Sequence, residues 1–155
     1  MPVYEYRGQR INIPDNDTEH KGYFEAAREH RLVLKRCLDC GLLRGEPGAG
    51  CPWCPSQRSE WHTVSGKGAI YSYQIVAHTV IPGFKDWAPF PIVLVELDEQ
   101  RGHPTPDDGL RITANLLNDK LEPENEERVA IGKRVEAIFV EVTDGLTLPQ
   151  FKLAG

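Results

Sequence analysis

The sequence predicts a mainly β protein with an N-terminal helix, in which a small metal-binding ribbon precedes a five-stranded closed barrel. Three observations predict this class. All four cysteines lie in one short stretch as two C-x-x-C pairs. The chain after residue 65 carries five strand-like segments separated by turn signals. One segment before the cysteines has helical periodicity. We therefore divide the chain into an N-terminal arm and helix (1–30), a ribbon (31–64) and a barrel (65–155).

The composition fits a folded domain and disfavours several classes of function. Hydrophobic residues make up 40% of the 155 residues, so the chain can bury a core. The formal net charge of -5 opposes non-specific attraction to nucleic-acid phosphates and to anionic membranes. No apolar run approaches the roughly 20 residues that span a bilayer. Residues 1–15 lack a signal-peptide pattern, so we expect a cytoplasmic protein that does not associate with a membrane.

The N-terminal region is predicted to contain one regular element. Residues 1–16 have the composition of an irregular arm. An amphipathic helix follows over about 18–30, with Tyr23 and Phe24 on its apolar side. Gly22 weakens this helix by about 1 kcal/mol relative to alanine. The aromatic side either docks on the chain's own domain or contacts a partner, and the periodicity does not separate these two alternatives.

Two cysteine pairs predict the metal site. A short strand over 31–36 leads into Cys37 and Cys40, and Cys51 and Cys54 follow after a ten-residue glycine-rich loop. Clustered thiols in a reducing compartment are better explained as metal ligands than as disulfides. Two facing C-x-x-C turns complete a tetrahedral Zn²⁺ site, and four thiolates leave no position for water or substrate. We therefore expect one structural zinc per chain; a pair of redox motifs or buried free thiols is the alternative.

Five strand candidates form the predicted barrel. They cover about 68–77, 91–98, 110–117, 133–142 and 146–153. The segment from Ile92 to Val95 is apolar throughout, so we expect both of its faces to be buried. Turn signals at 107–109 and 144–145 separate strands, and the second predicts a tight hairpin. With one longer connection between the third and fourth strands, the OB-fold is the leading candidate.

The sequence offers no recognisable catalytic machinery of its own. All four cysteines are assigned to the metal, and the five histidines are dispersed. There is no G-x-S-x-G, no Walker-type phosphate loop and no H-E-x-x-H motif. Ser65 to Gly68 faintly resembles a phosphate-binding loop, but it precedes a strand and we interpret it as a turn. We therefore expect no catalytic residue in this chain and no chemistry by the chain alone.

The segment 77–91 has the composition of a recognition loop, because large apolar side chains stand among prolines and a glycine. Exposed side chains of this kind are costly unless something covers them. The predicted contacts with a partner or ligand are therefore the loop residues His78, Ile81, Phe84, Trp87 and Phe90, and the helix adds Tyr23 and Phe24. The alternative is that the loop folds back and caps its own barrel.

Several short motifs are spread along the chain. They are Cys37-x-x-Cys40-Gly41, Cys51-Pro52-x-Cys54, Trp61, Ser65-Gly66-Lys67-Gly68, Ile131-Gly132-x-x-Val135 and Leu148-Pro149-Gln150-Phe151. In combination they resemble a family first catalogued as a domain of unknown function, over nearly the whole chain from about 17 to 151. The resemblance implies a rubredoxin-like zinc ribbon followed by an OB-fold. One departure is the segment 43–48, where the family often carries a Pro-Pro-Arg-like stretch.

The resemblance also implies a function in acyl-CoA metabolism. Members of the family are small subunits beside thiolase-like enzymes, including sterol-carrier-type thiolases and related aldolases, and the partner supplies the catalytic residues. We therefore expect an accessory subunit of a symmetric hetero-oligomer in lipid or steroid degradation. It would support docking and acyl-CoA access for carbon–carbon bond cleavage or formation, with a CoA thioester as ligand of the complex. Two alternatives stay open: a hot-dog-fold enoyl-CoA hydratase as partner, or binding of single-stranded nucleic acid, which the acidic balance opposes.

Overall fold

The computed structural model describes residues 2–45 and 48–155 and shows a mainly β chain with one α-helix in those ranges. The strands are β1 (Val3–Tyr6), β2 (Gln9–Asn12), β3 (Leu32–Cys37), β4 (Leu43–Arg44), β5 (Ser59–Val64), β6 (Lys67–Val76), β7 (Phe90–Leu97), β8 (Arg111–Asn115), β9 (Arg134–Thr143) and β10 (Leu146–Leu153). Helix α1 (Lys21–Arg28) lies between β2 and β3. No described helix has the length and apolar character needed to cross a membrane. The predicted fold class is confirmed.

Five antiparallel strands form the predicted OB-fold barrel. Their order in the sheet is β10-β9-β6-β7-β8. The two outer strands meet where the N–H of Leu117 donates to the carbonyl of Phe151 at 2.8 Å, just beyond the end of β8. Gly145, at φ +79°, allows the two-residue turn between β9 and β10 that the sequence predicts. All five strands lie where the alternation and the turn signals place them.

Strand β7 is less buried than the sequence predicts. Val93 and Val95 point into the barrel and are fully buried, whereas Ile92 and Leu94 are only half-buried. The expectation that both faces are covered is therefore wrong. The outer face of β7 lies beside Tyr23 of α1, which covers it only in part and leaves shallow cavities between them.

A second sheet, in the order β4-β3-β5, forms the ribbon. Strand β5 pairs with the full length of β3 and was missed in the sequence. Strand β4 pairs with β3 inside the segment that we predicted as a loop, so that prediction is wrong at Leu43 and Arg44. Glu46 and Pro47, which belong to the same loop and to the segment that departs from the family pattern, lie outside the described residues.

The ribbon and the barrel share one hydrophobic core. Leu32 and Leu34 of β3 belong to the same buried cluster as Val95 and Phe151 of the barrel. Burial of such side chains supplies most of the favourable free energy of folding, at roughly 1.5–3 kcal/mol each. The buried side chain of Gln100 adds a polar link, since its amide donates to the Leu43 carbonyl at 2.8 Å and accepts the Leu43 N–H at 2.7 Å. The metal-binding part therefore packs directly against the barrel.

The N-terminal arm is not irregular, because β1 and β2 form a hairpin. Arg7 and Gly8 occupy its turn, both with positive φ, as in the type I′ turns that match the twist of paired strands. The hydroxyl of Tyr4 donates to the carboxylate of Asp15, and Arg28 of α1 donates to the same carboxylate. The hairpin is thus attached to the helix by polar contacts that the sequence pattern does not reveal.

Helix α1 is shorter than predicted at both ends. Its first turn is preceded by hydrogen bonds at Asp17, whose carbonyl accepts the Lys21 N–H at 2.8 Å and whose carboxylate accepts the Glu19 N–H at 2.6 Å. Phe24 is buried against its own chain, and Tyr23 is half-buried beside the core. The aromatic side of the helix therefore docks largely on its own domain.

Gly22 of α1 is in close contact with Trp61 of β5, and we expect its replacement by alanine to destabilise the protein. A Cβ atom at this position would lie 2.2 Å from Nε1 of the indole ring. Helix propensity favours alanine by about 1 kcal/mol, but overpacking costs about 1–3 kcal/mol. Urea unfolding of Gly22→Ala should show a net loss of stability, whereas the exposed neighbour Lys21→Ala should change it by less than about 0.5 kcal/mol. A net gain for Gly22→Ala would contradict the packing.

Candidate metal centre and contact surfaces

The first cysteine pair forms a tight turn at the end of β3. Cys37 is the last residue of the strand, and the N–H of Cys40 lies 3.5 Å from its Sγ. The N–H of Gly41 donates to the Cys37 carbonyl at 2.9 Å. Gly41 has φ +78°, a left-handed conformation that glycine adopts without a steric penalty. This residue pattern is what turns both sulfurs to the same side.

The second pair faces the first and completes a four-sulfur cluster. The Sγ atoms of Cys37 and Cys54 are 3.6 Å apart, as are those of Cys40 and Cys51, and all four lie within 4.8 Å of one another. These separations exceed the S–S bond length of about 2.05 Å, so the four thiols are free. A tetrahedral zinc with Zn–S distances near 2.3 Å requires S···S distances of about 3.8 Å. The four cysteines therefore fit a tetrahedral thiophilic ion.

The electrostatic interactions among the four cysteines also favour a bound cation. The backbone N–H of Cys40, together with that of Asp39 and the neighbouring thiols, lowers the pKa of Cys37 to about 6. The pKa of Cys54 is raised to about 12: the N–H of Ser56 favours its thiolate, but partial desolvation and the adjacent sulfurs outweigh it. One thiolate thus opposes the ionisation of the next. A divalent cation at the centre of the cluster removes this repulsion.

The predicted recognition loop folds partly back on its own chain. Phe84, Trp87 and Phe90 form an aromatic cluster with ring centres 5.4 to 6.3 Å apart. Tyr6 of β1 packs edge-on against Phe84 at 5.6 Å. Phe90 is buried, and the other two loop rings are half-buried. Three of the predicted contact residues therefore form the base of the loop.

Arg7 of the N-terminal hairpin holds this base in place. Its Nε donates to the carbonyl of Gly83 at 2.6 Å, and its guanidinium pairs with Asp86. The guanidinium carbon also lies 4.7 Å from the ring centre of Trp87, within the range of a cation–π interaction. Arg7 and Tyr6 were not among the predicted contact residues, because the arm that carries them was predicted to be irregular.

The tip of the loop remains exposed. Val80 is 95% exposed, Ile81 is 46% exposed, and His78 is also exposed. The structure thus separates the predicted contact residues into a packed base, an exposed tip, and the pair Tyr23 and Phe24 on α1. An exposed aliphatic tip on a firmly held base is a candidate contact surface.

A four-cysteine ribbon joined through a common core to an OB-fold barrel defines the class of zinc-ribbon/OB-fold proteins. Residues 24–60 match the family described as the ChsH2 rubredoxin-like zinc ribbon domain. Residues 61–140 match the family described as the ChsH2 C-terminal OB-fold domain. The chain belongs to the ChsH2 family, which confirms the resemblance seen in the sequence.

Similar proteins carry names of two kinds. The chain is 36% identical over 143 residues to a probable enoyl-CoA hydratase alpha subunit of Thermomonospora curvata, a match that covers 91% of this chain but 39% of that protein. The chain thus spans about two fifths of that relative's length. It is also 33% identical over 115 residues to a DUF35 domain-containing scaffold protein of Methanocaldococcus jannaschii, covering 73% of this chain and 70% of that one.

Two solved structures resemble the chain. One is a chain of the structure described as the Ltp2-ChsH2(DUF35) aldolase, with 33% identity and a TM-score of 0.72, covering 90% of this chain and 97% of that chain. The other is a protein of unknown function from the DUF35 family of Sulfolobus solfataricus, with 16% identity and a TM-score of 0.53, covering 89% of this chain and 87% of that chain. The second likeness shows the fold alone.

Proposed function

We propose that this chain is a non-catalytic accessory subunit of a thiolase- or aldolase-type complex that acts on acyl-CoA. The observation that carries the proposal is the likeness to a chain of the Ltp2-ChsH2(DUF35) aldolase over 97% of that chain's length. The scaffold name of the archaeal relative supports the same role. The partner enzyme supplies the catalytic residues, and the complex takes a CoA thioester as its ligand for carbon–carbon bond cleavage or formation.

The metal in this proposal is one structural zinc per chain. The four sulfurs of Cys37, Cys40, Cys51 and Cys54 fill a tetrahedral coordination sphere and leave no position for a substrate or a reactive water. Zinc binding closes the two turns against β3, which belongs to the common core. The ion therefore stabilises the surface that the subunit presents to its partner, and it takes no part in the chemistry.

The docking contacts in this proposal lie at the exposed loop tip. His78, Val80 and Ile81 reach into solvent while the aromatic base below them is packed against the N-terminal hairpin. A preorganised loop loses little conformational entropy on binding, which favours affinity. The proposed assembly is a symmetric cytoplasmic hetero-oligomer that degrades steroid-derived or other lipid acyl groups. In this assembly the loop contacts the enzyme near its acyl-CoA access route.

Co-expression with a thiolase-like partner tests the proposed function. We expect the isolated chain to show no thiolase or aldolase turnover and the two proteins to elute together in size-exclusion chromatography. Addition of the chain to the separately purified partner should raise the partner's carbon–carbon bond-cleaving activity at least about tenfold, because the accessory subunit completes its acyl-CoA access. A partner that is soluble and fully active alone, and that elutes apart from this chain, would overturn the proposal.

An enoyl-CoA hydratase complex is a second candidate. The observation that favours it is the 36% identity to the hydratase alpha subunit, which exceeds the identity to the aldolase chain. The match covers 39% of that subunit, so the rest of the relative lies outside the region that aligns with this chain. Pull-down with the tagged chain distinguishes the candidates. A hydratase that is retained, with hydration of an enoyl-CoA by the retained fraction, would favour the second one.

A further inference from the structure

Strand β8 lies at the edge of the five-stranded sheet and has a groove along its free side. One side of β8 pairs with β7 from Arg111 to Asn115. The other side faces two neighbouring cavities of about 300 and 350 Å³, which meet at Thr113. We call this the β8 groove; its apolar walls include Tyr23, Phe24, Ile112, Ala114, Leu148 and Pro149. It therefore borders both α1 and β10.

The hydrogen bonds at the two ends of β8 show which backbone groups face the groove. In an antiparallel pair, successive residues point their N–H and C=O alternately toward the neighbouring strand and away from it. The N–H of Leu97 donates to the carbonyl of Leu110 at 2.8 Å, so the even-numbered residues face β7. The N–H of Asn115 donates instead to Oε1 of Gln150 at 3.1 Å. The odd-numbered residues of β8 therefore face the groove.

Thr113 is the odd-numbered position of β8 at which, among the described residues, both the backbone N–H and the C=O are left open. At Asn115 the N–H is satisfied by Gln150. At Arg111 the carbonyl is covered by Gly45 of the ribbon, where an added Cβ would lie 2.2 Å from the carbonyl oxygen. Within residues 2–45 and 48–155, the N–H and C=O of Thr113 have no hydrogen-bond partner, and the residue is exposed. An unpaired donor and acceptor on a strand edge is a ready site for another strand.

We propose that the β8 groove binds an extended peptide segment of a partner protein by β-strand addition at Thr113. One residue of the segment pairs with the N–H and C=O of Thr113. The residues before and after it point to a common face, about 7 Å apart, because side chains alternate along a strand. Apolar side chains at these two positions enter the two cavities, which both border Tyr23 and Phe24. Main-chain bonds supply affinity and the cavities supply specificity.

The chemistry of the groove favours a peptide over an acyl chain. An acyl chain would cover the apolar walls but would leave the donor and the acceptor of Thr113 without partners, which costs free energy once water is excluded. The site suits a short segment, because Gly45 and Gln150 limit the open edge at either end. The inference concerns an edge of this chain and does not require the complex of the proposed function.

A peptide titration tests the inference on the full chain. The probe is acetyl-Ser-Leu-Ala-Leu-Ser-amide, and its control carries an N-methyl group on the central alanine. Binding of the probe should slow hydrogen–deuterium exchange of the Thr113 amide by about tenfold or more, as followed by NMR. The N-methylated control, which cannot donate to the Thr113 carbonyl, should bind about tenfold more weakly or not at all.

Two substitutions of Thr113 test the role of its backbone N–H: the first removes this group, and the second is the matched control. Thr113→Pro removes the outward N–H, and proline is tolerated where an edge strand turns its N–H away from the sheet. Thr113→Val keeps the backbone and removes only the hydroxyl. We expect at least a tenfold loss of probe affinity for the proline variant and an unchanged affinity for the valine variant.

The inference would be overturned if the N-methylated peptide bound as well as the probe. It would also be overturned if the Thr113 amide were already protected in the free chain. Displacement of the probe by decanoate, with equal decanoate affinity in Thr113→Pro, would identify an acyl-chain groove instead and would also overturn it. If circular dichroism shows that Thr113→Pro does not fold, the comparison of the two peptides on the native chain decides.

Discussion

Replacement of Cys37 by serine should abolish metal binding and unfold the ribbon. Cys37 is fully buried at the end of β3, and its Sγ lies in the four-sulfur cluster. Structural zinc in small ribbon-like sites contributes about 10–16 kcal/mol of apparent binding free energy, which is coupled to folding. Loss of even part of this free energy is comparable with the stability of a typical domain, about 5–15 kcal/mol. We expect the thermal midpoint to fall by about 10 °C or more.

Two measurements check this result. Plasma mass spectrometry should find one zinc per native chain and much less than one in Cys37→Ser, while circular dichroism follows the thermal midpoint. Leu38→Ser is the matched control, because Leu38 lies in the same turn, is 44% exposed and supplies no ligand. A Cys37→Ser chain that retains one zinc and the native midpoint would refute both the structural role and the metal assignment.

Replacement of Val80 by aspartate should break the proposed contact with a partner enzyme while it leaves the free chain intact. Val80 is 95% exposed at the loop tip, so the substitution removes no packing within the chain, and stability should change by less than about 0.5 kcal/mol. In a complex, the new carboxylate would be buried against an apolar surface. Leaving a carboxylate without a partner in a buried interface costs several kcal/mol. We therefore expect a loss of affinity of about 100-fold or more, which corresponds to about 3 kcal/mol.

Isothermal titration of the variant with the purified partner measures this loss. Ile131→Asp is the matched control, since Ile131 is also an exposed aliphatic side chain, at 68%, on a different loop. We expect the control to bind with the affinity of the native chain. Equal affinities for native chain and Val80→Asp would remove the loop tip from the interface, and a loss confined to Ile131→Asp would move the interface to the loop that carries Ile131.

The barrel and the metal site could be predicted because their signals are local. Each barrel strand has its own alternation and its own turn residues, and the four cysteines lie within one short stretch. The strands that were missed lack such signals. Strands β1 and β2 are four residues long and joined by Arg7 and Gly8, which is not one of the commonest hairpin turn sequences. Strand β5 is stabilised by its pairing with β3 and by the packing of Trp61 against α1.

The contact surfaces were harder to predict because burial depends on distant residues. The sequence indicates that Phe84 and Trp87 are apolar and lie in a loop, but their partial burial depends on Arg7, which precedes them by more than 70 residues. The exposure of Val80 cannot be predicted from its residue type, because valine side chains are most often buried. The open edge at Thr113 depends on the positions of Gly45 and Gln150, which come from the ribbon and from β10.

The common core of ribbon and barrel limits how this architecture can be divided or recombined. A cut between residues 64 and 65 would separate Leu32 and Leu34 from Val95 and would strip one side of the barrel interior. The hydrogen-bonded pair of Gln100 and Leu43 would be lost at the same cut. The two halves match separate family descriptions, yet buried side chains of both form one hydrophobic cluster. Gene fusion or domain shuffling would therefore have to carry both halves together as one inherited unit.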